Sequence, residues 1–238
     1  MTEKEKQQAG ELYDASDREL FTERVKARKL CGEYNTLEYN DFQKRERLID
    51  RIVALKGDNV TIEAGFLCNY GYNIVIGNNF HADINCIMID NAEITFGDNV
   101  YIGPNCCICT AERPLEAVLR NTGNEFAKPV KIGSNVSFGS NVTVSAGVTI
   151  GDNVVINTGS VVTKDIPSDC IAGGNPCLPI KVVESFKSAE APDGAEQKAA
   201  PQNAQPASQE AKKPARHIEV RRVDGPPHGN NGFPDNKR

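Results

Sequence analysis

Aliphatic and aromatic residues return every six positions through the second half of the chain: Ile132, Phe138, Val144, Ile150, Ile156 and Val162. A second register sits four residues further on, at Val136, Val142, Val148, Val154, Ser160 and Ile166. In hexads the stretch reads IGSNVS, FGSNVT, VSAGVT, IGDNVV, INTGSV, VTKDIP, and FGDNVY and IGPNCC, from Phe96 to Cys107, follow the same rule. An amphipathic helix would step its apolar positions by 3.6 and would not carry Gly and Asn inside it. A short strand instead aims the first residue of each hexad inward. A Gly/Asn/Asp corner then turns the chain by roughly a third of a circle, because those residues tolerate positive φ or bond to the nearby backbone. Three hexads close a triangular coil, so 132–167 supplies two coils without interruption. Each unit buries its apolar face only by stacking on neighbours. Residues 56–188 are therefore expected to form a parallel β-helix of hexapeptide repeats.

The pattern differs on either side. Over residues 1–55 the apolar positions Leu20, Phe21, Val25, Leu30 and Cys31 recur at helical spacing, with Ser16 or Asp17 placed to cap the start. A second amphipathic run from Asp41 to Leu55 puts Leu48, Ile49, Ile52 and Val53 on one stripe. Two or three short helices are expected, too small to fold alone. Residues 111–131 break the repeat, and a long excursion from a regular coil often carries binding or catalysis. Residues 189–238 hold seven of the 13 prolines and no cysteine, a composition expected to give a disordered tail. Its cluster of Lys212, Lys213, Arg216, Arg221 and Arg222 reads as solvated charge or as a targeting or anion-binding patch.

Charge and cysteine usage narrow the setting. A formal net charge of -5 gives no pull towards nucleic acid or an anionic membrane, and no apolar run approaches the ~18–20 residues of a membrane span. The opening MTEKEKQQAG is too polar for a signal peptide. The 8 cysteines fit no secreted framework and lack flanking histidines, so buried thiols in a reducing, cytoplasmic setting are expected, with no metal.

Three stretches carry a resemblance. The opening TEKEKQQAGELYDASDREL resembles the helical cap of the maltose and galactoside O-acetyltransferases and the related nodulation acetyltransferase. NFHADINCIMID is similar to that family's first active-site strand, and GVTIGDNVVINTGSVVTKDIPSDCIAGGNPCLPI to its last coils and closing segment. The resemblance covers about 1–185. It implies a left-handed parallel β-helix that assembles as a homotrimer, with acetyl-CoA in a groove between neighbouring coils as co-substrate. A sugar or other small hydroxyl acceptor would lie beneath the cap and the excursion. A loop histidine would act as general base on that hydroxyl, and a positioned donor would stabilise the oxyanion.

Carried over position by position, the site is only partly kept. The tripeptide of the catalytic histidine reads Glu112-Arg113-Pro114, so Arg113 stands where the base belongs, and a guanidinium cannot accept the proton. The family's asparagine beside the acceptor is Asp83, its tryptophan is Ser137, and a basic residue after GNP-Cys is Leu178. On the cofactor side Ser140, Thr158, Thr163, Lys164 and Lys181 match, and Arg24 matches an arginine near the acceptor. His81 stands where an aromatic residue faces the acceptor. With Asp83 two residues on, it offers either a replacement base with an orienting carboxylate or simply a wall residue. Two functions follow: an acetyltransferase with a rearranged base, or an inactive trimer that binds CoA or protein. A γ-type carbonic anhydrase needs three histidines per zinc, and residues 1–188 contain one.

Overall fold

The six-residue period becomes a triangular prism. The computed structural model describes residues 1–183; the expected tail at 189–238, with its basic cluster, His217 and His228, lies outside the described residues. Strands stack in parallel on three faces. Face I carries Leu55–Lys56, Ile74–Ile76, Ile94–Phe96, Val130–Ile132 and Thr149–Ile150. Face II carries Val60–Ile62, Phe80–Ala82, Tyr101–Ile102, Ser137–Phe138 and Val154–Ile156, then the antiparallel pair Cys170–Gly174 and Cys177–Val182. Face III carries Leu67–Cys68, Ile87–Ile89, Cys107–Cys109, Thr143–Val144 and Val161–Val162. This is the parallel β-helix expected from the hexads, of the left-handed kind that the resemblance implies.

Both apolar registers point inward. Every residue from Ile132 to Val162 in the first, and from Val136 to Ile166 in the second, is buried, Phe138 to 1 % exposure. Burying each large aliphatic or aromatic side chain contributes about 1.5–3 kcal/mol. Because the coils are equivalent, the core is one continuous column.

The corner between faces I and II repeats a single device. Asn59, Asn79, Asn99, Asn135, Asn153 and Asp169 all adopt left-handed backbone, φ 54–59°. Each asparagine donates its Nδ2 to the side-chain oxygen one coil on, at 2.8–3.0 Å. Asparagine suits both demands, tolerating positive φ and carrying a donor and an acceptor on one short stem.

The helices close the first coil. α1 (Glu3–Ala9) starts with a Thr2/Glu5 capping box and ends on Gly10 in left-handed conformation. α2 (Arg18–Asn35) is capped by Asp17, which accepts from the backbone of Glu19 and Leu20. Its buried face is Leu20, Ala27, Cys31 and Tyr34. Phe21 and Val25, expected on that stripe, are 57 % and 50 % exposed. At about 100° per residue they lie well off the line through Leu20, Ala27 and Cys31. α3 (Phe42–Ile52) buries Arg45, Ile49 and Ile52. The Arg45 guanidinium donates to the Ile62 carbonyl (2.8 Å) and the Tyr34 hydroxyl (3.0 Å), and Tyr34 also donates to Ile62. Together they satisfy a strand carbonyl that has no further coil to bond. Leu55, placed with the helical run from sequence, already belongs to the first strand of face I.

Candidate active site

Every departure from the hexad period falls on the edge between faces III and I. Inward residues follow one another at six elsewhere, but eight separate Cys68 from Ile76 and Met88 from Phe96, 24 separate Ile108 from Ile132, and only four separate Val162 from Ile166, which pairs with Ile150. The extra residues are knitted together by buried polar groups. Asp90 accepts from the backbone N–H of Asn69 and Tyr70 (2.8 Å each) and Gly71 (2.6 Å), tying the first insertion to the second. Burial pushes its carboxyl up to about 6, against the lowering pull of those three bonds. Gly71 has φ +79°, and a Cβ there would sit 2.1 Å from the Ile52 carbonyl oxygen, so the insertion requires glycine.

The third insertion is the excursion. Ala111–Glu112 pairs with Asn124–Ala127, which pairs in turn with Tyr13–Asp14 of the cap, making a small antiparallel sheet outside the prism. Between them lies α4 (Ala117–Asn121). The coil resumes earlier than the sequence suggested, since Val130 and Lys131 already pair with Ile94 and Thr95. Arg113 leaves this sheet 59 % exposed and faces the Glu125 carboxylate at 3.6 Å. Glu125 also accepts from Asn91 and from the Tyr13 hydroxyl, both at 3.2 Å, and Asn91 donates to that hydroxyl at 2.7 Å. Burial raises the Tyr13 phenol to about 12. Arg24 is held close by, donating to the Tyr70 hydroxyl (2.7 Å) and the Ala15 carbonyl (2.6 Å).

His81 and Asp83 lie elsewhere, on face II and on the edge between faces II and III. Both side chains leave the same side of the strand, with Ala82 buried between them. They do not form the direct pair expected. Asp83 accepts instead from the Tyr101 hydroxyl at 3.3 Å and the backbone of Ile84 at 2.7 Å, while the His81 ring stacks on Tyr101 with centroids 5.3 Å apart and planes 4° from parallel. The reason is register: His81 and Tyr101 are directly paired on adjacent strands, so the rings stand side by side. Burial, then the Asp83 charge, raises the Tyr101 phenol.

Ser140 and Thr158 extend the same edge. Ser140 accepts the Gly159 N–H at 2.9 Å, so the two corners nest one coil apart. Gly139 permits this, since a Cβ would lie 2.5 Å from the Thr158 nitrogen. Thr163 and Lys164 are exposed on the III/I edge, the edge of Arg113, and Lys181 pairs with Ile171 in the closing hairpin of face II. The candidate residues thus form two columns, Asp83–Ser140–Thr158 and Arg113–Thr163–Lys164, on the two edges flanking face III. Among the described residues no group of three or more His, Cys, Asp or Glu side chains could hold a metal ion.

Residues 6–57 match the maltose acetyltransferase hexapeptide capping motif, and residues 129–164 match the hexapeptide repeat of succinyl-transferase. The galactoside O-acetyltransferase of Escherichia coli K12 is 39 % identical over 179 residues, covering 75 % of this chain and 88 % of the relative. The chain belongs to the maltose and galactoside O-acetyltransferase family. Two solved structures agree. A maltose O-acetyltransferase from Clostridium difficile 630 is 45 % identical, with a TM-score of 0.71 over 77 % of this chain and 98 % of that one. A Vibrio cholerae hexapeptide-repeat acetyltransferase complexed with acetyl-CoA is 33 % identical, with a TM-score of 0.72 over 77 % and 100 %.

Set among this family, the chain's candidate site includes residues that sequence reasoning passed over: Tyr101, Glu125, Asn91 and Tyr13. Tyr101 had a usable signal. It precedes inward Ile102 as His81 precedes inward Ala82, which places both in one outward column. Glu125, Asn91 and Tyr13 come from three separate segments, and no spacing links them.

Proposed function

We propose that the chain is an acetyl-CoA-dependent O-acetyltransferase that works as a homotrimer on a small hydroxyl-bearing acceptor such as a sugar. The observation that carries this reading is the division of the candidate residues between the two edges that flank face III. Within one chain a whole prism face separates them. The outward positions of that face, Leu67, Ile87, Cys107, Thr143 and Val161, are mostly apolar and half-buried, a surface suited to cover by another copy. A threefold arrangement about face III sets one subunit's Asp83–Ser140–Thr158 edge against a neighbour's Arg113–Thr163–Lys164 edge. Acetyl-CoA then lies between Ser140 and Thr158 on one side and Thr163 and Lys164 on the other, with Lys181 contributed from the closing hairpin of face II. The acetyl-CoA held by the Vibrio relative supports the co-substrate. All eight cysteines are free thiols, which supports a cytoplasmic setting.

In this site the acceptor lies at His81, Asp83 and Arg24. Its hydroxyl gives a proton to the His81 imidazole as the oxygen attacks the thioester carbon. The resulting oxyanion is stabilised by the cationic Arg113, which occupies the position of the family's histidine. Purified protein should release free CoA thiol from acetyl-CoA with at least one member of a sugar and polyol panel, and should sediment as a trimer. His81→Ala should lower turnover by ~100- to 10,000-fold and leave CoA affinity unchanged. Full activity in His81→Ala defeats the rearranged base.

A second reading, a trimeric scaffold that binds CoA or protein without turnover, is favoured by the Arg113–Glu125 pair, which commits the expected base position to an ion pair. CoA binding with no turnover on any acceptor, unchanged by Arg113→His, establishes it.

A further inference from the structure

We infer that Cys31 and Cys68 form a modification site, a buried dithiol that a disulfide-type oxidant closes into a covalent staple between α2 and the first coil. The inference goes beyond the proposed transfer and does not depend on it. Both sulfurs lie in the interior, where the cap meets the prism, so neighbouring subunits do not reach them.

Three observations meet at this pair. The first is geometric. Cys31 is on the inner face of α2, Cys68 points inward from the first strand of face III, and each is 0 % exposed. Their sulfurs stand 3.5 Å apart in hydrogen-bond contact, with either able to donate. The sulfurs of Cys106, Cys109 and Cys170 bond instead to backbone carbonyls. A disulfide holds its sulfurs about 2.05 Å apart, so this pair has roughly 1.5 Å to close. The second is chemical. The bond from Cys68 first, and then the charge of Arg28 one turn earlier, lower the Cys31 thiol against the effect of burial. The same bond, with burial, raises Cys68. Cys31 is therefore the attacking sulfur. The third is position. Cys68 immediately precedes the Asn69–Gly71 insertion, which α2 grips by two polar bonds. Arg28 donates to the Asn69 side chain (3.0 Å) and Arg24 to the Tyr70 hydroxyl (2.7 Å). A staple adds a covalent tie beside those contacts, between residues 37 positions apart in the chain.

Because both thiols are buried, reaction proceeds when α2 lifts from the coil. The Cys31 thiolate attacks one sulfur of oxidised glutathione, whose S–S bond breaks and releases one glutathione thiolate. On closing, the Cys68 thiolate attacks the Cys31 sulfur, and the second glutathione leaves. The two cysteine protons pass through solvent to the two glutathione thiolates. The cysteines lose two electrons, and the glutathione disulfide gains them. A reduced glutathione pool keeps the pair as thiols, and an oxidised pool closes it.

The test incubates the full chain with oxidised glutathione, alkylates it in denaturant and maps the peptides by mass. A peptide linked through Cys31 and Cys68 should form. The melting temperature should rise by about 5 °C or more and return to its starting value on reduction with dithiothreitol. Linkage should speed up in urea well below the unfolding midpoint, because opening of the cap limits it. Cys31→Ala and Cys68→Ala should each show no rise on the same treatment. If both cysteines are still alkylated as free thiols after exhaustive oxidation, or carry separate glutathione adducts with no link, the inference is overturned. A linked pair with an unchanged or lower melting temperature also overturns it, since the bond would then strain the cap instead of holding it.

Discussion

Along the edge between faces I and II, six residues from Asn59 to Asp169 share one backbone conformation and hand one side-chain hydrogen bond from coil to coil. Along the edge between faces III and I, no residue type recurs at the same corner position. The two positions after each inward residue read Asn69-Tyr70, Ile89-Asp90, Cys109-Thr110, Ser145-Ala146 and Thr163-Lys164. The first edge repeats because each corner sees identical neighbours above and below, so one solution serves all. The second carries the insertions, the contact with the cap and half of the candidate site, and each coil there meets different surroundings. Regularity marks where the solenoid only has to stack, and irregularity marks where it does something else.

The regular part is where substitution should cost most in stability. Phe138→Ala removes a ring from the continuous column and should lower unfolding free energy by ~3–5 kcal/mol in urea denaturation, and a loss under about 1 kcal/mol breaks the picture of a close-packed prism.

The irregular edge should show itself next, as a pH dependence. Asp90 holds its proton in the folded state to about pH 6, whereas the unfolded chain releases it near the ordinary carboxylate value of about 4. Between those values the folded state binds more protons, so this group's contribution makes stability fall as pH rises, by roughly 3 kcal/mol in all, and then level off. Glu3, Asp14 and Glu23, whose carboxyls are lowered by their hydrogen-bond partners, contribute with the opposite sign. The measurement is therefore the difference between parent and Asp90→Asn in urea titrations at pH 4, 5, 6 and 7. That difference should move in the variant's favour by pH 6, and a flat difference removes Asp90 as a strained buried group.

A smaller effect is expected in the ladder. Asn99→Ala removes the short polar side chain that lets asparagine tolerate left-handed backbone and cuts two rungs, for about 2 kcal/mol. Asn99→Gly keeps the backbone free and should cost less. Equal losses would show that the rungs, and not the backbone conformation, set the preference for asparagine.

How much of this could be read from sequence follows the same division. From Ile132 to Val162 the register was legible residue by residue, because nothing interrupts the period; Ile166, read as the next member of the second register, instead pairs with Ile150 of the first, because the last coil is two residues shorter. Before Phe96 it was not, since two extra residues between Cys68 and Ile76, and again between Met88 and Phe96, shift the phase. The cap at Asp17 was legible from local chemistry, but the exposure of Phe21 and Val25 depends on which side of α2 meets the prism. Residue types at the candidate site could be carried over from the family resemblance. Their relations could not: Tyr101 standing between His81 and Asp83, or Arg113 drawn to Glu125, depends on register and on how the excursion pairs with the cap.

The central claim is that each chain carries two halves of different sites, one on either side of face III, and subunit complementation tests it most directly. One variant, His81→Ala, disables the face II side; a second, Thr163→Ala with Lys164→Ala, disables the III/I edge. Each alone should be nearly inactive in CoA thiol release. Co-refolded in equal amounts, they should regain activity at about one quarter of their interfaces, where an intact edge of one chain meets an intact edge of its neighbour. Mixed assemblies as inactive as the separate variants, or a parent chain fully active as a monomer, would contradict the account.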